Sequence, residues 1–119
     1  MKYEPKQRDI VIIDFEPSKG YEIKKRRPAL ILSRDEYNVS TNMIIVCPIT
    51  STNKKKPFLV PITVESLSAK YESKVNTNQV YSLDYSERAN RNVQFVETLE
   101  EEQFYRIAQK FLYNFAFQL

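Results

Sequence analysis

The chain has 119 residues, of which 42% are hydrophobic and 28% are charged, with eight tyrosines and seven phenylalanines. This length and composition exclude a disordered chain and predict one globular domain over residues 1–119. There is no histidine and only one cysteine, which excludes Ser-His-Asp and Cys-His catalytic systems, an intrachain disulfide and any recognisable zinc or iron site. Gly20 is the only glycine, so a glycine-rich nucleotide-binding loop is excluded as well.

The distribution of charge is more informative than the net charge of +3. Cations cluster at Lys24–Arg27 and again at Lys54–Lys56. The first residues lack the apolar core of a secretory signal, and the longest apolar run, Met43–Ile49, contains Pro48 and is too short to cross a bilayer. A single cysteine fits a reducing compartment, so we expect a cytoplasmic protein.

Four strands are predicted before residue 65 from runs of β-branched and apolar residues. They are Asp9–Phe15, Ala29–Leu32, Met43–Ile49 and Phe58–Val64. The third run is almost continuously apolar, which indicates burial on both faces of a sheet. Between the second and third strands, Ser33 and Glu36 have the spacing of a capping box and predict a single helical turn before Asn42.

The later part of the chain is predicted to end in a helix. After the polar stretch Glu65–Thr77, which predicts turns, the fifth and sixth strands are Gln79–Leu83 and, beyond the polar loop Asp84–Asn92, Val93–Val96. Thr98 and Glu101 have the spacing of a second capping box. The helix that follows has an apolar face made of Phe104, Ile107, Ala108, Phe111, Leu112, Phe115 and Ala116. Together these elements predict a small, barrel-like α+β domain.

The basic loop before the second strand contains the most informative candidate residue. Proline pushes the residue before it toward extended geometry and cannot continue a central ladder, so Pro28 predicts that Arg27 lies just outside the sheet. A guanidinium on such a rim can hold a phosphate in a defined orientation. The neighbouring Lys24, Lys25 and Arg26 add a less specific attraction.

A second group of polar residues follows the third strand. Its members are Thr50, Ser51, Asn53, Lys54, Lys55 and Lys56. If the second and third strands are neighbours, the two basic loops form one cationic groove, beside which Tyr21 and Phe58 can stack bases. The hydroxyl groups can equally satisfy a turn, and the lysines can form a solvated face, so both interpretations stay open.

Three further groups are weighed against structural roles. Cys47 lies inside the third strand and is predicted to be a buried, inert thiol. Glu100, Glu101 and Glu102 are predicted to complement the dipole of the last helix rather than to bind a metal. Glu22 shares a loop with Arg27 and can face the same site.

Several short motifs occur along the chain in a characteristic order. They are the Asp-led strand Asp9–Phe15, the segment Gly20-Tyr21-Glu22, the strand start Arg27-Pro28, the tripeptide Ile49-Thr50-Ser51 and a later strand that ends at Asp84. In this order and spacing, the whole chain resembles the MazF/PemK family of toxin endoribonucleases. Two departures are Arg8, where the family usually has glycine, and the run Lys24–Arg26, where the family loop is often glycine-rich.

The resemblance implies a fold and a reaction. The fold is α+β, a small SH3-like β-barrel of five to seven mostly antiparallel strands with a C-terminal helix, as in CcdB and MazF. The reaction is sequence-specific cleavage of single-stranded RNA without metal or cofactor, leaving 2′,3′-cyclic phosphate and 5′-hydroxyl ends. It suits a chain without histidine, because the substrate's own 2′-hydroxyl is the nucleophile. Arg27 is then expected to bind the phosphate and donate a proton, Thr50 to donate a hydrogen bond, and Glu22 or Arg27 itself to act as base.

The resemblance also implies partners and leaves two alternatives. It implies the toxin of a bacterial type II toxin-antitoxin pair, a homodimer bound by an acidic MazE/PemI-like antitoxin, with DNA contacted only through the antitoxin and no membrane. One alternative is a gyrase poison of the CcdB type, but those proteins carry a tryptophan near the C-terminus and this chain has none. The other is a non-catalytic RNA-binding module, because Arg27 and Thr50 can serve binding and catalysis alike.

Overall fold

The computed structural model describes residues 2–16 and 26–117. Over these residues the chain forms seven strands in one sheet, two α-helices and one short 3-10 turn. The strands are β1 (Asp9–Asp14), β2 (Arg26–Ile31), β3 (Met43–Ser51), β4 (Leu59–Pro61), β5 (Ser73–Asn76), β6 (Tyr81–Asp84) and β7 (Gln94–Thr98). The helices are α1 (Asp35–Thr41) and α2 (Glu101–Leu112), and the 3-10 turn is Glu87–Ala89.

β3 is the strand around which the sheet is arranged. All pairings are antiparallel, in the order β4-β5-β3-β2-β1-β7. One edge of β3 pairs with β2, and the other edge pairs with β6 over Met43–Val46 and with β5 over Ile49–Ser51. β4 and β7 stand at the ends of this order without a ladder between them in the described part of the chain. The predicted α+β class is confirmed, although the sheet is not strongly closed.

Strand alternation builds two apolar layers, one on each face of the sheet. The first layer includes Ile10, Leu30, Cys47, Ile49 and Val75, and it is covered by Phe104 and Ile107 of α2. The second layer includes Val11, Ile13, Ala29, Ile31 and Val46, with Tyr3, Tyr81, Tyr85 and Val93 packed against it. Val46 and Cys47 are consecutive and belong to different layers, which confirms the burial of β3 on both faces.

The prediction that Arg27 lies outside the sheet is wrong. β2 begins at Arg26, and Arg27 pairs with Ile13 of β1. Pro28 is tolerated inside the strand because β3 pairs with β2 only from Ala29 onward, so at Pro28 the strand has a single partner. The backbone of Arg27 is therefore held by the sheet itself.

Both predicted capping boxes are wrong. Neither residue that precedes α1 or α2 makes a side-chain capping bond. The hydroxyl of Ser33 instead donates to Oδ1 of the buried Asn38, and α1 extends over seven residues rather than one turn. The hydroxyl of Thr98 donates to Oδ1 of the buried Asp9 at 2.9 Å. In both cases a buried polar partner takes the hydroxyl, because an unpaired buried group costs more than a helix end that water can reach.

The stretch Glu65–Thr77, predicted to form turns, contains β5. Val75 is the only apolar residue of this four-residue strand, which explains why its sequence gives no strand signal. It is a strand because its backbone pairs with β3 on one edge and with β4 on the other. β4 is also shorter than predicted and covers only Leu59–Pro61 of the expected Phe58–Val64.

α2 ends earlier than its apolar pattern predicts. Phe104 and Ile107 are buried, as predicted, and Ala108 and Phe111 are partly buried. Leu112 is the last helical residue and is 62% exposed, and Phe115 and Ala116 lie beyond the helix end. The ring of Phe115 instead lies between those of Phe111 and Phe117, with centroid distances of 5.4 Å to each.

Arg8 has a backbone conformation that favours glycine. Its φ is 81°, which costs a non-glycine residue on the order of 1 kcal/mol. Its N–H donates to the Ile31 carbonyl at 3.0 Å, and its carbonyl accepts from the Leu99 N–H at 2.9 Å. Nε of its side chain also donates to the Leu99 carbonyl at 3.1 Å. The contacts that the arginine side chain makes thus offset part of the strain at a position where the related family usually has glycine.

The extent of α2 packing can be measured by paired substitutions. We expect Ile107→Ala to lower the free energy of unfolding by about 2–5 kcal/mol, because its side chain is fully buried against the sheet. Leu112→Ala is the matched control and should change it by less than about 0.5 kcal/mol. Urea unfolding monitored by circular dichroism gives both values. Equal losses would show that α2 packs on the sheet over its whole length.

Candidate functional site

The candidate site lies along a row of side chains that crosses the sheet. Thr50 of β3 pairs with Lys74 of β5. On its other edge β3 pairs with β2, where Ala29 is opposite Pro48. Beyond the last paired residues of this ladder, the same register continued by two residues brings Arg27 level with Thr50. Opposite residues of antiparallel strands point to the same face, so Arg27, Thr50 and Lys74 share one face of the sheet.

Arg27 rests on an aromatic surface. Its Cζ lies 6.0 Å from the centroid of the Phe15 ring, and that ring makes an edge contact with Tyr81 at a centroid distance of 4.8 Å. The guanidinium of Arg27 forms no hydrogen bond and no ion pair with any residue in the described ranges 2–16 and 26–117. A guanidinium over a ring face keeps its planar fork of N–H donors, which matches a phosphate.

Arg26, the preceding residue, has the opposite surroundings. Its Nη1 donates to Oδ1 of the buried Asp14 at 3.3 Å and to the carbonyl of Asn92 at 2.8 Å, and its Nη2 donates to Oε1 of Gln94 at 3.3 Å. These contacts tie β2 to β1 and to the chain entering β7. The role of Arg26 in attracting RNA stays a prediction, and RNA would have to compete with these contacts.

Thr50 and Ser51 point to opposite faces of β3, because successive strand residues alternate. The hydroxyl of Ser51 donates to the Tyr71 carbonyl at 2.8 Å and accepts from the Tyr71 N–H at 3.1 Å. Its geometry therefore fits the structural interpretation of these hydroxyls. Thr50 is half-buried, and its hydroxyl has no hydrogen-bond partner in the described part of the chain.

The basic loop after β3 reaches from Thr52 to Phe58. Within it Asn53, Lys54, Lys55 and Lys56 are exposed. Phe58 is half-buried, and its carbonyl accepts from both the N–H and the hydroxyl of Thr77 at 2.9 Å. Since β2 and β3 are neighbours, this loop and Arg27 lie at the same end of the sheet. Tyr21, Glu22, Lys24 and Lys25 of the predicted site fall outside the described residues.

Lys74 is the member of the row that sequence reasoning missed. It is only 6% exposed, and its Nζ donates to the Lys54 carbonyl at 2.6 Å. One lysine in a polar stretch carries no signal by itself. Once the segment is known to be a strand, alternation of side chains gives a clue. Val75 enters the layer under α2, so its neighbour Lys74 points to the opposite face of the sheet.

The remaining predicted groups behave as structural residues. Cys47 is buried as predicted, and this burial raises the pKa of its thiol to about 12, which disfavours the reactive thiolate. Glu101 and Glu102 lie in the first turn of α2 as predicted, and Glu100 precedes it. Over the ranges 2–16 and 26–117, no three His, Cys, Asp or Glu side chains are grouped so that they could hold a metal ion. The helices in these same ranges are too short or too polar to cross a bilayer.

Sequence comparison decides the family. Residues 6–115 match the family described as the PemK-like, MazF-like toxin of type II toxin-antitoxin systems. The chain belongs to this family. A relative from Escherichia coli K12, named endoribonuclease toxin MazF, is 39% identical over 62 residues. That match spans 52% of this chain and 56% of the relative, so it covers little more than half of either protein.

Two solved structures match almost the whole chain. A MazE-MazF structure from Deinococcus radiodurans (Form-II) has a TM-score of 0.79 at 28% identity, covering 95% of this chain and 96% of that one. A MazF structure from the same organism (Form-I) has a TM-score of 0.76 at 27% identity, with 95% and 97% covered. These matches confirm both the family resemblance and the fold that the order of motifs predicts.

The contrast between the two arginines predicts different effects on stability. We expect Arg26→Gln to lower the free energy of unfolding by about 1–2 kcal/mol, because it leaves the buried Asp14 carboxylate with fewer donors while partial exposure of Arg26 limits the loss. Arg27→Gln should change it by less than about 0.5 kcal/mol. Thermal and urea unfolding of both variants measure this. A larger loss for Arg27→Gln would mean that Arg27 is a structural residue.

Proposed function

We propose that this protein is the toxin of a type II toxin-antitoxin pair and cleaves single-stranded RNA without a metal ion. The observation that carries the proposal is the placement of Arg27. Its guanidinium lies over the Phe15 ring, forms no hydrogen bond or ion pair with the described residues, and shares one face of the sheet with Thr50. Membership of the toxin family and the name of the Escherichia coli relative support the same activity.

The proposed reaction is an internal transesterification. The ribose 2′-oxygen forms a bond to the adjacent phosphorus, the bond from phosphorus to the 5′-oxygen breaks, and the products are a 2′,3′-cyclic phosphate and a 5′-hydroxyl. Negative charge grows on the non-bridging oxygens of the phosphorane. Arg27 and the hydroxyl of Thr50 stabilise that charge, which is a contribution that fixed donors on a rigid strand make well.

Two protons must move in this reaction. The 2′-hydroxyl loses one and the departing 5′-oxygen gains one. Arg27 is the proposed donor, although a guanidinium is a very weak acid, so most of its effect comes from charge stabilisation. Glu22 is the proposed base, with Arg27 in both roles as the alternative.

The surrounding residues serve substrate binding in this proposal. The loop residues Asn53, Lys54, Lys55 and Lys56 lie at the same end of the sheet as Arg27, and Phe58 follows them. A role in RNA binding for Ser51, the last residue of β3, stays a prediction, because its hydroxyl is bonded to Tyr71. Lys24, Lys25 and Arg26 add charge next to Arg27, and Tyr21 stacks a base. We assign the whole of residues 1–119 to one toxin domain, active in the cytoplasm, which fits a single buried thiol that is not oxidised to a disulfide.

RNA cleavage is tested by incubating the purified protein with mixed RNA in EDTA and mapping the fragment ends. We expect cyclic phosphate and 5′-hydroxyl ends. Arg27→Ala should lower kcat/KM on the order of 100-fold, which corresponds to roughly 3 kcal/mol of transition-state stabilisation, and Arg27→Lys should also be poor because an ammonium lacks the planar fork. Arg106→Ala, on the exposed side of α2, is the matched control.

The outcomes separate the three interpretations. Binding of RNA without cleavage by the wild-type protein would indicate a non-catalytic module. Neither binding nor cleavage, together with inhibition of DNA gyrase, would indicate a toxin of the CcdB type. Full cleavage by Arg27→Ala would refute the assignment of the site.

The proposed partner is an acidic antitoxin. A MazE-MazF structure is among the relatives, and a cationic face that holds RNA also accepts a carboxylate-rich peptide that folds on binding. We expect the antitoxin to compete with a non-cleavable RNA and to inhibit less as salt rises. A partner that binds together with that RNA would contradict a shared site. Homodimerisation stays a prediction, which the mass in solution tests.

A further inference from the structure

Lys74 is a nearly buried cation without a carboxylate partner in the described part of the chain. Its strand, β5, lies between β3 and β4, where Lys74 is opposite Thr50 on one side and Pro61 on the other. Its ammonium has three N–H donors, of which one bonds the Lys54 carbonyl at 2.6 Å. Burying a charged group is costly unless it is paired. A cation kept in this position is therefore suited to an anion that arrives from outside.

A cavity of about 430 Å³ has Lys74 in its lining. Lys55, Lys56 and Lys74 line it, together with Pro57, Pro61 and the carboxylate of Glu72. Three cations face one carboxylate, and Glu72 is exposed to solvent, which screens its repulsion of an anion. The cavity thus favours a group of negative charge.

Lys74 and Arg27 diverge from Thr50 to opposite sides. They lie on the two strands that flank β3, so their Cα atoms are two strand spacings apart, which is about 10 Å. The Arg27 guanidinium leans over Phe15, at the end of β1, and the Lys74 ammonium leans toward the loop after β3. Two cations that diverge in this way address different phosphates of one strand.

We propose that this cavity is a second phosphate subsite, with Lys74 at its base and Lys55 and Lys56 at its rim. It binds the phosphate next to the one that is cut. This inference rests on the proposed ribonuclease function and adds a positioning residue to it. By holding the neighbouring phosphate, Lys74 fixes the register of the RNA, so that the scissile phosphate lies between Arg27 and Thr50.

The test removes charge from the protein and from the RNA separately. The probe is a short RNA that spans a cleavage site mapped for this protein, with a 2′-deoxyribose at the cut so that it binds without reacting. In a series of such oligonucleotides, one phosphate at a time is replaced by a neutral methylphosphonate. Each is titrated against the wild-type protein and against Lys74→Met, which keeps the apolar stem of the side chain.

We expect one neutral linkage adjacent to the cut to weaken binding to the wild-type protein at least about 10-fold, as for loss of a charge-assisted hydrogen bond. In Lys74→Met the same linkage should cost less than about 2-fold, while the linkage at the cut keeps its full effect. In Arg27→Ala the linkage at the cut should lose most of its effect on binding, while the adjacent linkage keeps its full effect. Lys56→Met, at the exposed rim, should partly reduce the loss of affinity caused by the neutral linkage next to the cut. This variant keeps the proposal testable if Lys74→Met does not fold. Lys110→Met on α2 is the control and should match the wild type.

Other outcomes overturn the subsite. If the adjacent linkage costs Lys74→Met as much as it costs the wild-type protein, Lys74 only fastens the loop through the Lys54 carbonyl. If no adjacent linkage affects the wild-type protein, the cavity holds no phosphate. Both results leave RNA cleavage intact and so refute this inference alone, whereas a wild-type protein that neither cuts nor binds RNA refutes the proposed function as well.

Discussion

The pairing of β3 with strands on both of its edges is the constraint on which the rest of the molecule depends. Because β3 is fixed on both sides, its residues alternate strictly between two faces: Cys47 and Ile49 enter the layer under α2, and Thr50 faces away from it. The ladder with β5 places Lys74 opposite Thr50, and the register with β2, continued by two residues, brings Arg27 to the other side of Thr50. The candidate site is therefore set by backbone hydrogen bonds between strands rather than by a loop. Such a frame holds donors in place without reorganisation when charge develops on a phosphate.

Alternation along β2 also explains how two adjacent arginines take different roles. Arg26 points to the side where Asp14, Asn92 and Gln94 offer oxygens, and its guanidinium joins three segments of the fold. Arg27 points to the other side and meets only an aromatic ring among the described residues. A ring face attracts a cation but accepts no conventional hydrogen bond, so stacking orients the guanidinium while leaving its N–H donors for a ligand. Exchanging the two environments would require a shift of one residue in register, which would also move every core residue of β2 to the opposite apolar layer.

The sequence predicts those elements whose conformation follows from their own residues. It does not predict elements whose conformation is imposed by pairing with strands that are distant in the sequence. The β-branched runs of β1 and β3, the burial of Cys47 and the first two turns of α2 follow from composition and period. β5 does not, because three of its four residues are polar and its strand conformation is imposed by β3 and β4. Ser33 and Thr98 have the right spacing for capping, yet each bonds a buried partner that only the folded chain brings near. For the same reason Arg27 and Thr50 could be predicted from motifs, whereas Lys74 could not.

A site without imidazole must catalyse more by stabilising charge in the transition state than by transferring protons. An arginine side chain is a very weak acid, so the proposed reaction depends on how strongly fixed cations stabilise the phosphorane. Electrostatic stabilisation grows as water is excluded, and here the ring of Phe15 and the nearly buried stem of Lys74 supply apolar surroundings on either side of Thr50. Holding a second phosphate also offsets part of the entropy that a flexible RNA strand loses on binding. A basic face of this kind can compensate for weak acid-base catalysis by positioning its substrate.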